Sequence, residues 1–236
     1  MTVLFADIGN TRVKFSILKN EEITWVSAET VMAWPADSVN EIWLADVSES
    51  QPALIACLCQ KHPSAKIFKV DNTQAKINFK HTYARPEKLG VDRFLAMLAA
   101  PSEQGALVVD AGTALTIDAV YQKQHLGGYI VPGLTLSRRA LAGQKSVLLS
   151  DQNSDAIEFG RTTETCISHG TLMAQLSLIQ TSFAHLQQKY PQAELIIAGG
   201  DGSLLHQHLL ALGLKNKFIS DLVFNGLRIY RKSLIK

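Results

Sequence analysis

The chain has 236 residues, 47% of them apolar and 19% charged, with a net charge of +2, which suits one large globular domain or two small ones with ample core. So small a net charge, with no basic run interleaved with aromatics, argues against a nucleic-acid surface, and no apolar stretch approaches the length of a bilayer span. The opening residues carry no secretory leader pattern, so a cytoplasmic location is expected, with neither nucleic acid nor membrane as partner.

The chain opens with an apolar run, Val3-Leu4-Phe5-Ala6, that ends on Asp7 and passes through Ile8-Gly9-Asn10-Thr11. It resumes with Val13, Phe15 and Ile17 alternating against Arg12, Lys14 and Ser16, the pattern of a β-hairpin. Gly9 lets the main chain approach a ligand, Asn10 and Thr11 add donors, and Lys14 returns one positive charge to the turn, a set that suits an oligophosphate. Asp7 would repel bare phosphate, but it suits a hydrated Mg²⁺ that bridges phosphate oxygens. On this stretch alone, an ordinary hairpin whose Asp and Asn satisfy their own backbone is an equal alternative.

Glu22 to Ala28 is expected as a third strand and Glu41 to Val47 as a fourth, apolar enough to be buried on both faces. Pro52 starts a helix through about Gln60, and Lys66 to Val70 forms a further strand, an α/β order. Residues 71–90 are polar and irregular, and Phe94 to Ala100 is helical until Pro101, Ser102 and Gly105 break it. A domain boundary is expected here, dividing 1–104 from 105–236.

The second half begins by repeating the first, since Ala106 to Asp118 is again an apolar strand, an Asp-x-Gly turn and an alternating strand. Turning the chain does not require Asp at the same strand end twice, so the echo of Asp7 at Asp110 favours a phosphate and metal role for both. His125 to Val131 is a strand, and Pro132-Gly133 introduces a helix through Ala142. Ser150 to Asp155 is a polar loop, followed by a long helix from about Thr163 to Tyr190, where Leu172, Leu176 and Ile179 form a core stripe. Glu194 to Ala198 is a buried strand leading into Gly199-Gly200-Asp201-Gly202, which reads either as a seat for a flat ligand or as a plain connection. Helices at 203–212 and 222–232 close the chain. Cys57, Cys59 and Cys166 lack disulfide or zinc spacing and are expected as buried thiols, and the histidines as solvated or capping residues.

In that order, Asp7-Ile8-Gly9-Asn10-Thr11 with Lys14, Asp110-Ala111-Gly112-Thr113 and Ala198-Gly199-Gly200 resemble the two phosphate motifs and the adenosine motif of the actin-like ATPase and sugar-kinase superfamily. The resemblance implies an α/β fold of two ribonuclease-H-like domains with the active site in the cleft between them. Within that superfamily, Tyr83, Arg85-Pro86-Glu87 and Leu89-Gly90-Val91-Asp92-Arg93 resemble the substrate motif of the type III pantothenate kinases. Gly128-Tyr129-Ile130-Val131-Pro132-Gly133 and Gly160-Arg161-Thr162-Thr163-Glu164 are similar to the same family.

What the resemblance implies is transfer of the γ-phosphate of ATP to the primary hydroxyl of pantothenate, the first step towards coenzyme A. Asp92 matches the general base, and Tyr83, Gly90, Val91, Asp92, Arg93 and Thr163 match the pantothenate contacts. Asp7, Ile8, Gly9, Asn10, Thr11, Arg12, Val13, Lys14 and Thr113 match the contacts to ATP, and Asp110 matches a site for K⁺ or NH₄⁺. Members of the family work as homodimers with the substrate site near the subunit interface. One departure is Thr162, where the family usually has Asn.

From the residues alone, Asp92 stands near a helix N-terminus, where the dipole favours a carboxylate, and a helix-capping role fits it as well. Arg93 suits a carboxylate or developing phosphate charge, or else a surface salt bridge. Tyr83 either closes over substrate or anchors its loop. Two rival functions stand beside pantothenate phosphorylation. Another small-molecule hydroxyl kinase of the superfamily is disfavoured by the Tyr83 to Arg93 segment, and a non-catalytic transcriptional accessory protein by the presence of Asp7, Lys14, Asp92, Asp110 and Thr113.

Overall fold

Alternating apolar residues draw β1 (Val3–Ile8) and β2 (Val13–Lys19) into an antiparallel pair, which β3 (Glu22–Val26) extends. α1 (Ala28–Ala33) then leads to β4 (Glu41–Asp46), buried at every residue and parallel to β1. α2 (Pro52–Lys61), β5 (Lys66–Lys69), a 3₁₀ turn at Pro86–Lys88 and α3 (Val91–Ala99) follow. The strand order is β3-β2-β1-β4-β5.

The second unit repeats this plan with β6 (Ala106–Ala111), β7 (Ala114–Tyr121), β8 (Gln124–Pro132), α4 (Leu134–Ala142), α5 (Thr163–Lys189), β9 (Glu194–Ala198), α6 (Gly202–Ala211) and β10 (Lys217–Phe218). Its order, β8-β7-β6-β9-β10, matches the first sheet strand for strand, with antiparallel pairs on one side of β6 and parallel pairs on the other. α7 (Leu222–Ile235) closes the chain. The computed structural model describes residues 1–9, 11–46, 51–74, 76–142 and 155–235. No helix among them is long and apolar enough to cross a membrane.

In the first unit, Leu4, Ala6, Ile8, Phe15, Ile42 and Leu44 bury one sheet face against Val31 of α1 and Leu58 of α2. The opposite face carries Trp43, whose ring meets that of Tyr230 in α7 at 6.1 Å, and Tyr230 in turn meets Phe94 of α3 at 6.2 Å. Arg231 locks this layer by donating to both carboxylate oxygens of Glu41, at 2.7 and 3.2 Å, while the Trp43 indole donates at 2.8 Å. Burial alone would push the Glu41 carboxyl up, but the bonds from Arg231 and Trp43 outweigh it and hold the group below its ordinary value. In the second unit, Leu172, Leu176 and Ile179 of α5 are fully buried against Val109, Leu115 and Ile197, the core role expected of that stripe.

Several expectations need correction. The two compact units are Met1–Ala99 with Asp221–Lys236, and Ala100–Ser220. α7 therefore belongs with the first unit, because its buried side is completed by α3 and β4 and not by its neighbours in sequence. The third strand stops at Val26, since the Ser27 hydroxyl accepts from Thr30 N at 3.1 Å and starts a helix. Cys57 is exposed and Cys59 partly so, because Leu58 between them takes the buried position of α2, and Cys166 is exposed on α5. His62, His125 and His169 are buried and not solvated, with His125 Nε2 2.9 Å from the buried Asp118 carboxylate. Val47 and Ser150 to Ser154 lie outside the described residues.

Candidate active site

β1 brings Asp7 close to its C-terminal end, where it pairs in register with Lys14 of β2. Cross-strand partners share a face, so carboxylate and ammonium stem leave the sheet on the same side, both half-buried. The Lys14 ammonium lies 6.0 Å from the Trp25 ring centroid. Gly9 N donates to Arg12 O at 3.0 Å to close the turn, which leaves Thr11 and Arg12 exposed. Ile8 and Val13 are the pair that brackets it. Asn10 lies outside the described residues.

The Asp110 hairpin has the same construction with a turn one residue shorter, bracketed by Ala111 and Leu115. Gly112 N donates to Ala114 O at 3.0 Å, and Thr113 is exposed at the tip. Two further segments meet it. Gly133 N donates to Thr113 O at 2.9 Å and Asp201 N to Ala111 O at 2.9 Å. At Gly199, with φ +92°, a β-carbon would stand 2.4 Å from both Ala111 O and Asp110 Oδ1. Only glycine fits so close to a carboxylate and a carbonyl with that backbone. The Gly128 to Gly133 motif and the Gly199-Gly200 motif, far apart in sequence, thus both close on the Asp110 to Thr113 turn.

α3 delivers the remaining residues. Phe94 N donates to Gly90 O at 3.0 Å, which puts Asp92 in the first helical turn, half-buried. Its Oδ1 accepts from Arg93 N at 2.7 Å and lies 2.6 Å from where a β-carbon on residue 90 would stand. Gly90 therefore leaves the space that the Asp92 carboxylate occupies. Arg93 is buried, its Nη1 donating to the Tyr83 hydroxyl at 2.7 Å with its guanidinium carbon 5.7 Å from the ring centroid. Arg93 is therefore not the surface group weighed above, and its bond anchors Tyr83 to α3.

Asn72, just beyond β5, donates through its amide nitrogen to Pro86 O at 3.0 Å and Leu89 O at 2.6 Å. α3 consequently begins at the C-terminal end of β4 and β5, the end at which β1, parallel to β4, carries Asp7. The face is shared too, since Asp7 lies in the same row as Phe5 and Val3, paired with Trp43 and Glu41, and α3 and α7 cover that row. Asp7 and Asp92 thus belong to one face and one end of the first sheet. Sequence reasoning misses Asn72, because Asp-Asn-Thr after a strand reads as a turn and nothing more.

Thr163 is the first residue of α5 and exposed. Thr162 caps that helix, its hydroxyl accepting from Thr165 N at 3.2 Å while Thr165 Oγ1 accepts from Thr162 N at 3.0 Å. Asn caps helices about as well, so Thr162 preserves the helix start that presents Thr163. Among the described residues there is no group of three or more His, Cys, Asp and Glu side chains able to hold a metal ion. A cation at Asp7 would take its other oxygens from phosphate and water, as Mg²⁺ usually does.

A sequence profile of the type III pantothenate kinase family matches residues 3–185. A type III pantothenate kinase from Acinetobacter baylyi is 34% identical, covering 98% of this chain and 98% of its own. Among solved structures, a Campylobacter jejuni protein assigned to the Baf family of transcriptional activators superposes with a TM-score of 0.68 at 23% identity, covering 98% of each chain. A ROK hexokinase from Thermus thermophilus gives a TM-score of 0.51 at 11% identity, covering 100% of each. These two similarities are of fold, a two-unit α/β architecture.

Proposed function

The chain belongs to the type III pantothenate kinase family, and on that premise we propose a role for each residue described above. It transfers the γ-phosphate of ATP to the primary hydroxyl of pantothenate, giving 4′-phosphopantothenate and ADP on the route to coenzyme A. The observation that carries the assignment of residues is the placement of Asp7 and Asp92 on one face and one end of the first sheet. A phosphate-side carboxylate and an acceptor-side carboxylate then serve the same reaction.

Asp92 orients the pantothenate hydroxyl and takes its proton as the new O–P bond forms and the bond to the ADP oxygen breaks. The loose transition state asks little of the base early, so orientation is its main contribution. Arg93 and Tyr83 bind pantothenate, the buried guanidinium offering a charge to the substrate's carboxylate or to developing phosphate charge. Thr163 is a further pantothenate contact. Asn10, Thr11 and Thr113 offer backbone and side-chain donors to phosphate oxygens, Gly9 leaves room for the phosphate to approach the turn, and Lys14 adds a positive charge.

The half-buried Asp7 carboxylate near the end of β1 suits Mg²⁺, a hard cation that takes oxygen ligands. When bound there, Mg²⁺ supplies charge neutralisation between the phosphates. Asp110, half-buried near the end of β6, is the residue for K⁺ or NH₄⁺. The protein acts as a homodimer in the cytoplasm. Exposed Tyr129, Ile130 and Leu136, on β8 and α4, supply apolar surface for a second copy.

Purified protein incubated with ATP, Mg²⁺ and pantothenate, with and without K⁺, is expected to form 4′-phosphopantothenate, and Asp92→Asn to lose most of this while still binding ATP. Product from other hydroxyl compounds but none from pantothenate would replace the substrate. A folded protein with no turnover under either salt condition would favour the non-catalytic alternative.

A further inference from the structure

The loop between β5 and α3 is held at two points that the reaction itself does not explain. Asp71 is clamped to α7, its N–H donating to the Tyr230 hydroxyl at 3.0 Å and its carbonyl accepting from it at 2.9 Å. Tyr230 is 1% exposed, so this anchor is part of the core. The Asp71 carboxylate accepts from Thr73 N at 2.8 Å and Thr73 Oγ1 at 2.6 Å, which shapes the turn in which Asn72 stands.

From that fixed point, the Asn72 amide spends its two N–H groups on the carbonyls of Pro86 and Leu89, at 3.0 and 2.6 Å. Those carbonyls bracket the 3₁₀ turn that Leu89 N closes on Pro86 O at 3.0 Å. Leu89 O belongs to the peptide group shared with Gly90. Because the Asp92 carboxylate rests on Gly90, with 2.6 Å to the missing β-carbon, any shift of that peptide moves the carboxylate as well.

We propose that Asn72 is a positioning residue for the reaction, a carboxamide clamp that fixes the Leu89–Gly90 peptide and through it the direction of Asp92. The inference rests on the assignment of Asp92 as the group that orients the acceptor hydroxyl. Asn suits the place because two carbonyl oxygens face it and an amide nitrogen carries two donors. A carboxylate there would present acceptors to acceptors, and an aliphatic side chain would leave both carbonyls without the bond.

The test is steady-state kinetics on Asn72→Ala and the isosteric Asn72→Asp, each measured well below its own unfolding midpoint as followed by circular dichroism. The expected result is at least a fivefold loss in kcat for both, with the KM for ATP within twofold of the parent's. In an Asp92→Asn background, with residual turnover followed by labelled ATP, Asn72→Ala is expected to add less than twofold, since it acts through the carboxylate already removed. A kcat within twofold of the parent's in folded Asn72→Ala, or a full fivefold further loss in the Asp92→Asn background, overturns the clamp. Parental kcat in Asp92→Asn overturns the reading of Asp92 and the clamp together. A large Asp92→Asn effect beside an inert Asn72→Ala overturns the clamp alone.

Discussion

Replacing Gly90 by Ala tests the placement of the base without touching the base. The new β-carbon would stand 2.6 Å from Asp92 Oδ1, whereas contacts of that kind seldom fall below 3.0 to 3.4 Å, so the carboxylate must retreat by about 0.4–0.8 Å. A misplacement of about 1 Å costs on the order of a hundredfold in rate. If the logarithm of the rate falls in proportion to distance, the expected loss in kcat is about five- to fortyfold, or roughly 1–2 kcal/mol of barrier. The backbone at residue 90 has no positive φ to forbid alanine, so the variant should fold. The assay is initial rate of 4′-phosphopantothenate formation at saturating ATP, with the KM for ATP expected within about twofold because the hairpin at Asp7 is untouched. A folded Gly90→Ala protein with parental kcat would refute the reasoning, since the carboxylate's position would then not matter.

Asp7→Asn keeps shape and removes charge, so turnover should fall at least about tenfold while the circular dichroism spectrum is unchanged, with a raised Mg²⁺ requirement as the distinguishing sign. Parental turnover at ordinary Mg²⁺ would take Asp7 out of the mechanism. Arg231→Met would leave Glu41 as a buried carboxylate with only the Trp43 bond, costing about 3 kcal/mol, or about 6–12 °C in Tm for a chain of this size. Because the Glu41 carboxyl lies below its ordinary value in the folded state, the stability it contributes is present above the unfolded carboxyl range near about 4.3 and is lost as pH falls through the lower, folded value. The Tm gap between parent and Arg231→Met should therefore narrow as the medium is acidified below that range. A gap that is constant or widens with acid would contradict the assignment.

What the sequence determined by itself is local. Alternation around Gly9 and Gly112 specified two hairpins, and the recurrence of Asp at the same strand end marked both turns as more than turns, because side-chain periodicity and turn chemistry act over a few residues. The run from Leu89 to Arg93 was legible as a motif for the same reason. What only the tertiary structure decided is which distant segments meet. The C-terminal helix returns to the first unit because Tyr230 and Arg231 find Trp43 and Glu41, partners nearly the whole chain away. Gly133 and Gly199 close on the Asp110 turn, and Asn72 reaches across an irregular loop to hold the start of α3. A polar residue in a loop has no periodicity to announce its partner, and its role is set by the backbone carbonyls that folding places around it.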